Sequence, residues 1–470
     1  MGAIAAIITR DSGNPRELLD EMLLALKHRG TQTKTAPLDV NAPFEASIGC
    51  ASHTNPAAQL AESEKVTLVL EGSVFDVPRD QQAEQMRKRF ANNSPMKAIA
   101  GQMATEPAAI ACLCFRRKRL YAFRDLNGLK PLYYSQNRSM VALASERKAL
   151  WRIGLNKPER ILPGHLYTVN RLRVSKTRVA ALPQPSEKRM TISQATTDLK
   201  RLLMRSIKRI TKDVDRIAVA FSGGLDSTVA AWLAKQANVE VELISVGLSG
   251  SPELQTAEKF ASTLDLQVTL EPFSLDSLEE YVRRIVWLIE EPNLMKVSIA
   301  IPLHWAAKVA AQRGHRIMLC GQGSDELYGG YYKYARTLDA RGHRALVTEL
   351  NRSVIQSAEV NYERDEQATA PFNVELRTPF ADLDIIRFSM TIPSDFKVKP
   401  GNDLTRKWVL RNVAKELGVP EEMVWRRKKA IQHGTGVENA IRKLAKAQGV
   451  TSDDYLLRIQ KDVIEMESMP

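Results

Sequence analysis

Cysteine is scarce in this chain, and the few cysteines present exclude one kind of metal site. The 470 residues include 4 cysteines, at positions 50, 112, 114 and 320. Their spacing does not form paired zinc knuckles, and their small number is typical of a protein from a reducing compartment. Cys112 and Cys114 alternate along an apolar segment, so we expect them to pack inside the protein rather than to bind a metal.

Long hydrophobic runs are missing as well. No apolar stretch approaches the length that crosses a bilayer, and the chain does not open with a basic region followed by a long apolar segment. We therefore expect a cytoplasmic protein that does not act at a membrane. The sequence also contains no internal repeat and no low-complexity segment.

Length and charge set broad limits on the fold and the partners. A chain of 470 residues is too long for one comfortable core, so we expect two domains. The composition, with 44% hydrophobic and 26% charged residues, is that of a soluble globular protein. The net charge of +13 suggests anionic partners such as a nucleotide, pyrophosphate, an acidic substrate or RNA. Solubility explains the same charge equally well, and charge alone carries no specificity.

The first 180 residues mix short strand-like runs with helical segments, which indicates an α+β sandwich. A proline-containing polar connector follows at 182–188. We therefore place the domains at 1–182 and 192–450, with a C-terminal tail at 451–470. Strands are predicted at 3–9, 66–70, 109–115, 120–123, 132–134 and 141–144, and helices at 16–27 and 80–90.

From residue 193 the pattern changes to strands that alternate with long helices. This order predicts an α/β domain with a doubly wound parallel sheet, followed by a mostly helical C-terminal region. The predicted helices lie at 194–210, 228–234, 254–264 and 278–288, and the predicted strands at 217–221, 241–246 and 316–319.

The turn at 222–227, which reads Ser-Gly-Gly-Leu-Asp-Ser, carries the clearest chemical signal. Glycines between a strand and a helix let backbone amides approach a ligand, and the free amides at the helix N-terminus favour an anion. The hydroxyls of Ser222 and Ser227 and the carboxylate of Asp226 complete a cradle for phosphates and Mg²⁺. No Gly-Lys-Ser/Thr follows, so this is not the phosphate loop of kinases and GTPases. The loop resembles the pyrophosphate loop of enzymes that cleave ATP to AMP and pyrophosphate.

A second glycine-rich turn, at 321–330, follows the predicted strand at 316–319. Because ligands of such sheets bind beyond the carboxyl ends of the strands, this turn can place Asp325 opposite Asp226. Two carboxylates would then be available to the Mg²⁺ of a bound triphosphate, and the end of the strand at 241–246 would face the adenine ring. The simpler alternative is that Asp325 is one of an acidic pair that stabilises a helix N-terminus by about 0.3–1 kcal/mol per residue.

These two turns occur together with the motifs at 375–382 and 425–429, in the order and approximate spacing of the glutamine-dependent asparagine synthetases. The chain resembles that family. Its N-terminal part is similar to the family's class II glutaminase domain in residues 27–30, 124–133 and 144–146. The resemblance covers nearly the whole chain and breaks only after about residue 450.

The resemblance implies ATP and Mg²⁺ as cofactors and assigns residues to each. Asp226 and Asp325 would be the Mg²⁺ ligands. Lys428 would stabilise charge on the phosphates as an acyl-adenylate forms, a role that suits a strongly hydrated point charge. The nucleotide pocket would comprise Phe221, Ser222, Gly223, Gly224, Leu225, Asp226, Ser227, Val246, Gly247, Cys320 and Gly321.

The glutaminase-like part lacks the residues with which the family hydrolyses glutamine. The family's nucleophile is an N-terminal cysteine, whereas Met1 is followed here by Gly2. The Asn-Gly-Glu of the family's oxyanion hole is Glu-Gly-Ser at 71–73, and a carboxylate there would repel a developing oxyanion. The arginine and the aspartate that bind glutamine are not found at 48–53 and 108–112. We therefore expect no glutamine hydrolysis, and a structural role for this domain as a lid or docking surface.

The acceptor pocket also departs from the family pattern. Met295 and Ser298 stand where the family recognises aspartate with a threonine and an arginine. A serine does not replace the arginine–carboxylate fork, which argues against aspartate as the acceptor. Lys296 is either a compensating cation or a surface residue.

The proton chemistry differs as well, because Gln322 stands where the family has a glutamate. Gln322 cannot take a proton, although it can orient a ligand through hydrogen bonds, and we include it among the catalytic residues in that role. If the reaction needs a base, the candidates are Glu375, the substrate itself and His433, whose alternative is a structural role in its turn.

Three functions remain open from the sequence. The first is an ATP-dependent amide-forming ligase that activates a small-molecule carboxylate as an acyl-adenylate and accepts ammonia or another amine. The second is a tRNA-modifying ATP pyrophosphatase, favoured by basic residues at 426–429 and 442–446, although we find no catalytic cysteine pair and no RNA-binding module. The third is a non-catalytic ATP-binding scaffold, against which the intact Asp226, Asp325 and Lys428 count. A homodimer is compatible with each.

Overall fold

Three β-sheets organise the protein in the computed structural model, which describes residues 1–10, 14–53, 58–105, 107–427 and 434–468. Two six-stranded sheets are built from strands that end at Arg178 or earlier. One five-stranded sheet is built from strands that begin at Arg216 or later. We refer to the parts before and after the connector as the N-terminal and the C-terminal part.

The two N-terminal sheets are antiparallel and face each other. Alternate residues of a strand point to opposite faces, so Ile4, Ala6 and Ile8 lie between the sheets while neighbouring residues of the same strand point outward. The first sheet has the order β10-β8-β9-β1-β3-β2 and the second β12-β11-β7-β6-β5-β4, with β1 (Gly2–Arg10), β2 (Gln32–Leu38), β3 (Phe44–Ser52), β4 (Ala58–Ser63), β5 (Val66–Val74), β6 (Ala108–Arg116), β7 (Arg119–Arg124), β8 (Tyr133–Gln136), β9 (Met140–Ala144), β10 (Glu159–Arg160), β11 (His165–Asn170) and β12 (Arg173–Arg178).

Helices cover the outer faces of both sheets. They are α1 (Pro15–Ala25), α2 (Gln82–Asn92), α3 (Pro95–Thr105) and α4 (Arg147–Arg152). α1 and α4 pack on the first sheet, and α2 and α3 on the second. This four-layered arrangement confirms the predicted α+β sandwich. Cys112 and Cys114 lie fully buried beneath α2 and α3, so they are packing residues as expected.

The C-terminal sheet is parallel throughout, in the order β15-β14-β13-β16-β17. The chain therefore adds strands to one side of β13 and then crosses to its other side. In doubly wound sheets, ligands bind at such a switch in strand order, beyond the carboxyl ends of the strands. The strands are β13 (Arg216–Ala220), β14 (Glu240–Leu248), β15 (Gln267–Phe273), β16 (Ile317–Leu319) and β17 (Glu375–Arg377).

Helices pack on both faces of this sheet, which confirms the doubly wound α/β prediction. They are α5 (Ile192–Ile210), α6 (Leu225–Gln236), α7 (Pro252–Leu264), α8 (Leu278–Ile289), α9 (Leu294–Gln312), α10 (Ser324–Tyr328), α11 (Tyr332–Ser357), α12 (Glu363–Thr369), α13 (Leu383–Ser389), α14 (Trp408–Glu416), α15 (Glu421–Val424), α16 (Val437–Ala447) and α17 (Ser452–Ser468). The last of these lies in the predicted tail, where Tyr455, Leu456 and Ile459 are buried in a cluster with α8.

Helix α9 corrects the expectation that no apolar stretch is long enough to cross a membrane. It has 19 residues and passes that test by length and composition, but 72% of its most apolar window is buried inside the protein. Ala306, Ala307 and Ala310 pack against the C-terminal sheet. A helix that is apolar on all sides is typical of a protein core as well as of a membrane span, and this burial identifies α9 as a core helix.

Opposite charges join the N-terminal and C-terminal parts. In a series of ion pairs across their boundary, the cation belongs to the N-terminal part and the carboxylate to the C-terminal part. Many of these side chains are buried, where each charge depends on its partner. The pairs are Arg29–Glu366, Arg79–Glu375, Arg124–Glu363, Lys130–Glu366, Arg147–Glu291, Lys148–Glu290 and Arg160–Glu363.

Candidate active site

The predicted phosphate-binding turn joins β13 to α6. Gly223 has a φ of 63°, a left-handed conformation that favours glycine. Ser222 Oγ accepts a hydrogen bond from the Gly224 amide at 3.3 Å, and Ser227 Oγ donates to the Gly224 carbonyl at 3.1 Å. These bonds hold both hydroxyls at the N-terminus of a 12-residue helix, where an anion is favoured.

The second glycine-rich turn lies directly against the first. β16 pairs with β13, and Gly321 comes just beyond the end of β16. A Cβ at Gly321 would lie 2.5 Å from the Asp226 Cβ, closer than real Cβ atoms approach, so the two turns can touch only because this residue is glycine. Thr378 Oγ1 donates to the Gln322 carbonyl at 2.7 Å and ties the turn to the residue that follows β17.

Asp226 and Asp325 contact the same cation. Lys407 Nζ lies 2.6 Å from Asp226 Oδ1 and 2.6 Å from Asp325 Oδ1. Ser324 Oγ donates to Asp226 Oδ1 at 2.6 Å and accepts from Lys407 Nζ at 2.9 Å. The structure therefore brings together the two carboxylates that the sequence predicts as metal ligands.

This pair of carboxylates fits the Mg²⁺ of a bound nucleotide. Mg²⁺ is commonly held by one or two carboxylates together with substrate phosphates and water. Across the described residues there is no cluster of three or more His, Cys, Asp or Glu side chains that could hold a metal alone. The remaining ligands would therefore come from the triphosphate and from water.

A cavity of about 520 Å³ opens beside these carboxylates, within the range of small-molecule sites. Phe221, Ile244 and Val246 give it an apolar side that suits a purine ring, at the carboxyl ends of β13 and β14. The predicted site residues that line this cavity are Phe221, Ser222, Asp226, Ser227, Val246, Cys320, Gly321, Gln322 and Asp325.

Other predicted residues lie around the cavity without lining it. Gly223 and Gly224 belong to the first turn, Leu225 begins α6, and Gly247 lies near the end of β14. None of the four lines the cavity. Lys428 and His433, predicted from the family motif and its surroundings, lie outside the described residues.

Glu375 is placed away from the cavity, which argues against it as the base. It pairs with Ile317 at the start of β16, whereas the site lies beyond the other end of that strand. Arg79 Nη2 lies 2.5 Å from Glu375 Oε2 and Arg377 Nη2 lies 3.0 Å from it. Burial would raise the pKa of Glu375, but these two arginines outweigh burial and hold the pKa well below its usual range. Such a carboxylate is a poor proton acceptor.

Of the three residues predicted for the acceptor pocket, only Met295 lines the cavity. Ser298 is buried and does not line it, because its hydroxyl donates to the Leu294 carbonyl within α9 at 2.7 Å. Lys296 is neither a compensating cation in the cavity nor a surface residue. It is buried, and its Nζ donates to Glu291 at 2.5 Å.

The cavity wall also contains an arginine that motif reading missed. Arg364 lines the cavity, is buried, and donates through Nε to Asp365 Oδ1 at 2.7 Å. Asp365 lines the same wall. The available signal was the run of four charged residues Glu-Arg-Asp-Glu at 363–366. In the structure every residue of this helix is buried, so these charges need partners inside the protein.

Charged side chains surround Glu71, the residue that the resemblance places at the oxyanion hole. Arg29 is completely buried and contacts Glu71 at 2.6 Å, Glu146 at 2.6 Å and Glu366 at 2.5 Å. Arg29 Nε also donates to the Gly2 carbonyl at 2.7 Å. Burial raises the pKa of the Glu71 carboxyl, and Arg29 opposes that effect. A predicted oxyanion-hole position is thus occupied by an ion pair.

Comparisons with known proteins agree with this architecture. The asparagine synthase family model matches residues 198–365 and 339–461, and the glutamine amidotransferase domain model matches residues 48–152. A Methanocaldococcus jannaschii protein named "Putative asparagine synthetase (glutamine-hydrolyzing) 1" is 28% identical over an alignment of 540 residues, gaps included. The alignment covers 99% of each chain. The rice protein named asparagine synthetase (glutamine-hydrolyzing) 2 is 29% identical over 361 residues, 70% of this chain and 57% of the rice protein.

Among solved structures, NMN synthetase from Francisella tularensis has 15% identity and a TM-score of 0.28, and the match covers 60% of this chain and 94% of that one. This likeness is too distant to carry an argument. The fold, the site and the family matches together define an ATP-dependent, amide-forming ligase of the asparagine synthetase type. The chain belongs to the asparagine synthetase family.

Proposed function

We propose that this protein activates a small-molecule carboxylate as an acyl-adenylate and then forms an amide with ammonia or another amine. A carboxylate oxygen attacks the α-phosphorus of ATP, the bond to the β-phosphate oxygen breaks, and pyrophosphate leaves. The nitrogen nucleophile then attacks the carbonyl carbon, loses a proton, and AMP leaves. The observation that carries this proposal is that Asp226 and Asp325 lie close enough together to contact the same Lys407 ammonium. Both line a cavity that reaches the phosphate-binding turn.

In each step the residues of this chain position the reactants and stabilise the charge on the phosphates. The hydroxyls of Ser222 and Ser227 and the N-terminus of α6 would bind phosphate oxygens. Asp226 and Asp325 would hold the Mg²⁺ that neutralises the triphosphate. Gln322, whose backbone carbonyl is held by Thr378, would orient the acceptor through its side-chain amide.

The acceptor is a carboxylate other than aspartate in this proposal. Ser298 is turned into its own helix and cannot replace the arginine of the aspartate-binding pattern. Arg364 supports a different mode of recognition, because it places a buried guanidinium in the wall shared by Gln322 and Cys320. Its Nε and Nη2 already contact Asp365 at 2.7 and 2.6 Å, and its Nη1 donates to the Val360 carbonyl at 3.1 Å. An acceptor carboxylate would therefore bind through the remaining N–H groups of Nη1 and Nη2.

We also propose that the N-terminal part does not hydrolyse glutamine. Gly2 has no side chain, and a Cβ there would lie 2.6 Å from the Ala58 Cβ and 2.8 Å from the Ala58 amide nitrogen. The oxyanion-hole position is occupied by Glu71, which is bound to Arg29 and accepts a 2.6 Å hydrogen bond from Ser145 Oγ. Both observations support a structural role for this part, and ammonia or the amine would come from solution.

Isotope exchange between ATP and [³²P]pyrophosphate tests the reaction class. Exchange that depends on an amino acid or another small carboxylate supports the ligase. Exchange that requires tRNA supports a tRNA-modifying enzyme instead, and no exchange under any of these conditions supports a scaffold. Asp325→Asn should abolish exchange, whereas Asp395→Asn, on an exposed residue that does not line the cavity, should leave it unchanged. Full exchange in the Asp325 variant would remove the metal assignment.

A further inference from the structure

Lys407 is buried at the centre of the predicted metal site. The residue is 2% exposed. Its Nζ donates to Asp226 Oδ1 at 2.6 Å, to Asp226 Oδ2 at 2.7 Å and to Ser324 Oγ at 2.9 Å, and it contacts Asp325 Oδ1 at 2.6 Å. One ammonium group therefore uses the oxygen atoms of both carboxylates that would bind Mg²⁺.

The backbone is strained where it delivers this side chain. Arg406 and Lys407 have φ values of 52° and 55°, two successive left-handed conformations that are costly for residues with a Cβ. Arg406 Nε donates to the Gly330 carbonyl at 2.9 Å and holds the strained turn in place. Strain of this kind persists only where the surrounding structure imposes it, and it concentrates at functional sites.

Gly330 makes room for the lysine. A Cβ at Gly330 would lie 2.2 Å from Lys407 Cε and 1.8 Å from Asp325 Oδ1, so any larger residue would collide with both groups. The passage of Lys407 to the carboxylates thus depends on the strained turn at 406–407 and on a glycine 77 positions earlier in the chain. These are independent observations on the same contact.

We propose that Lys407 is an internal cation that competes with Mg²⁺ for Asp226 and Asp325 until a nucleotide binds. The inference rests on the proposed function, because it concerns the same two carboxylates. Mg²⁺ requires ligand oxygens at about 2.0–2.1 Å in a near-octahedral arrangement. The Lys407 ammonium occupies Asp226 Oδ1, Asp226 Oδ2 and Asp325 Oδ1. It also repels a second cation, because the two carboxylate side chains are only 13% and 15% exposed.

The competition has a consequence for the order of binding. Free Mg²⁺ must displace the Lys407 ammonium from the carboxylates. It brings no anion with which the displaced ammonium could pair. A nucleotide brings its own Mg²⁺ together with a triphosphate, whose oxygens offer the displaced ammonium a new anion. The site therefore binds the metal with the nucleotide and binds the free metal weakly.

Binding of Mn²⁺, measured by the paramagnetic resonance signal of the free ion, tests this directly in the full-length protein without nucleotide. Lys407→Met and Lys407→Gln remove the charge, and Lys407→Arg is the matched control that keeps it. We expect both neutral variants to bind Mn²⁺ at least about tenfold more tightly than the wild type, because a nearby like charge has been removed. The arginine variant should bind as weakly as the wild type. Asp325→Asn added to Lys407→Met should abolish the gain.

A purely structural lysine predicts the opposite result, since its loss would disorder the carboxylates and weaken metal binding. Equal or weaker Mn²⁺ binding by the folded neutral variants would overturn the proposal. If neither neutral variant folds, the wild type is tested with and without a non-hydrolysable ATP analogue. Mn²⁺ binding that is equally tight in both cases would contradict the proposed competition between Lys407 and the metal. Absence of pyrophosphate exchange in the wild type would remove the proposed function and leave the Mn²⁺ result to be read independently.

Discussion

Gly321 packs on the backbone of Asp226, and this contact joins the two ligand-binding turns into one site. A Cβ at Gly321 would lie 2.5 Å from the Asp226 Cβ and 3.1 Å from the Ser227 amide nitrogen. The two turns follow neighbouring parallel strands, so their approach is set by the spacing of the sheet. The close approach of Asp226 to the second turn therefore depends on the absence of a side chain at Gly321.

Gly321→Ala should consequently impair the reaction more than the fold. The methyl group would push the two turns apart by a fraction of an ångström to an ångström. A displacement of that size at a reacting site can cost about 100-fold in rate. We expect a loss of that order in ATP–pyrophosphate exchange with the far-ultraviolet circular dichroism spectrum unchanged.

The matched control for this substitution is Gly101→Ala. A Cβ at Gly101, in α3, would meet nothing within 4 Å. Alanine is favoured over glycine inside a helix by roughly 0.5–1 kcal/mol, so this variant should be slightly more stable and equally active. Wild-type exchange by Gly321→Ala would mean that the two turns do not need this close contact.

Gly2→Cys should not restore glutamine hydrolysis. The new side chain would collide with Ala58, and the oxyanion-hole position would still hold Glu71 bound to Arg29. Overpacking of a buried site typically costs about 1–3 kcal/mol, so we expect a lower melting temperature together with no release of glutamate. Gly2→Ala, which has the steric effect without the thiol, should show the same loss of stability. Robust glutamate release by the cysteine variant would contradict our proposal for the N-terminal part.

Arg29→Met should destabilise the protein strongly. Arg29 is completely buried between Glu71, Glu146 and Glu366, and its removal leaves these carboxylates without their shared cation. Breaking a buried charge network from one side costs about 3–5 kcal/mol. We expect a large downward shift of the urea midpoint, followed by intrinsic fluorescence.

Arg201→Met provides the comparison for this prediction. Its side chain is 73% exposed and pairs with Asp198 at 3.0 Å. Exposed pairs contribute about 0–1 kcal/mol, so the urea midpoint should hardly move. Similar small shifts in both variants would show that the boundary between the two parts does not depend on the Arg29 network.

His304→Asn should reduce the acid sensitivity of the fold. Burial lowers the pKa of His304 to about 4, whereas the unfolded chain protonates this residue near its ordinary pKa of 6.5. The unfolded state therefore binds an extra proton between these values, and stability falls as the pH drops from 6.5 towards 4, by up to about 1.4 kcal/mol per pH unit. Asparagine can keep the 2.7 Å hydrogen bond that His304 Nδ1 makes with the Ala368 carbonyl.

Urea unfolding of the wild type and this variant at pH 7 and pH 5 measures the effect. The decrease in the free energy of unfolding between the two pH values should be smaller in the variant. Identical decreases in the two proteins would mean that His304 is not neutral in the folded state at pH 5.

Much of the fold was predictable because local patterns carry it. The apolar runs that became β1, β5, β6, β13 and β14 and the helical run of α5 were all identified from the sequence. Strand β2 was missed because it is a polar edge strand that includes Pro37, which only an edge tolerates. Helix α9 was missed because an apolar surface on every side leaves no helical periodicity to read.

The candidate site was predictable only in part. The sequence predicts that Asp226 and Asp325 both lie at the carboxyl ends of parallel strands, and therefore at the same edge of the sheet. It does not reveal that these two strands are neighbours, because strand order is set by tertiary packing. Glu375 was a candidate base in the sequence, but the structure places it away from the cavity. Its motif reveals neither the register of β17 nor Arg79, which reaches it from the N-terminal part. Lys407 belongs to no motif that we recognised.

The sequence by itself determined the chemistry that the two turns can perform. A strand, a glycine-rich turn with hydroxyls and a carboxylate, and a helix form a phosphate site through contacts among neighbouring residues. The same local information revealed that Gly2 has no nucleophilic side chain. Tertiary structure decided which charges meet. Arg29 meets Glu366 across 337 positions, and Lys407 meets Asp226 across 181. A buried charge is stable only beside its partner, and the partner is chosen by packing that brings distant segments together.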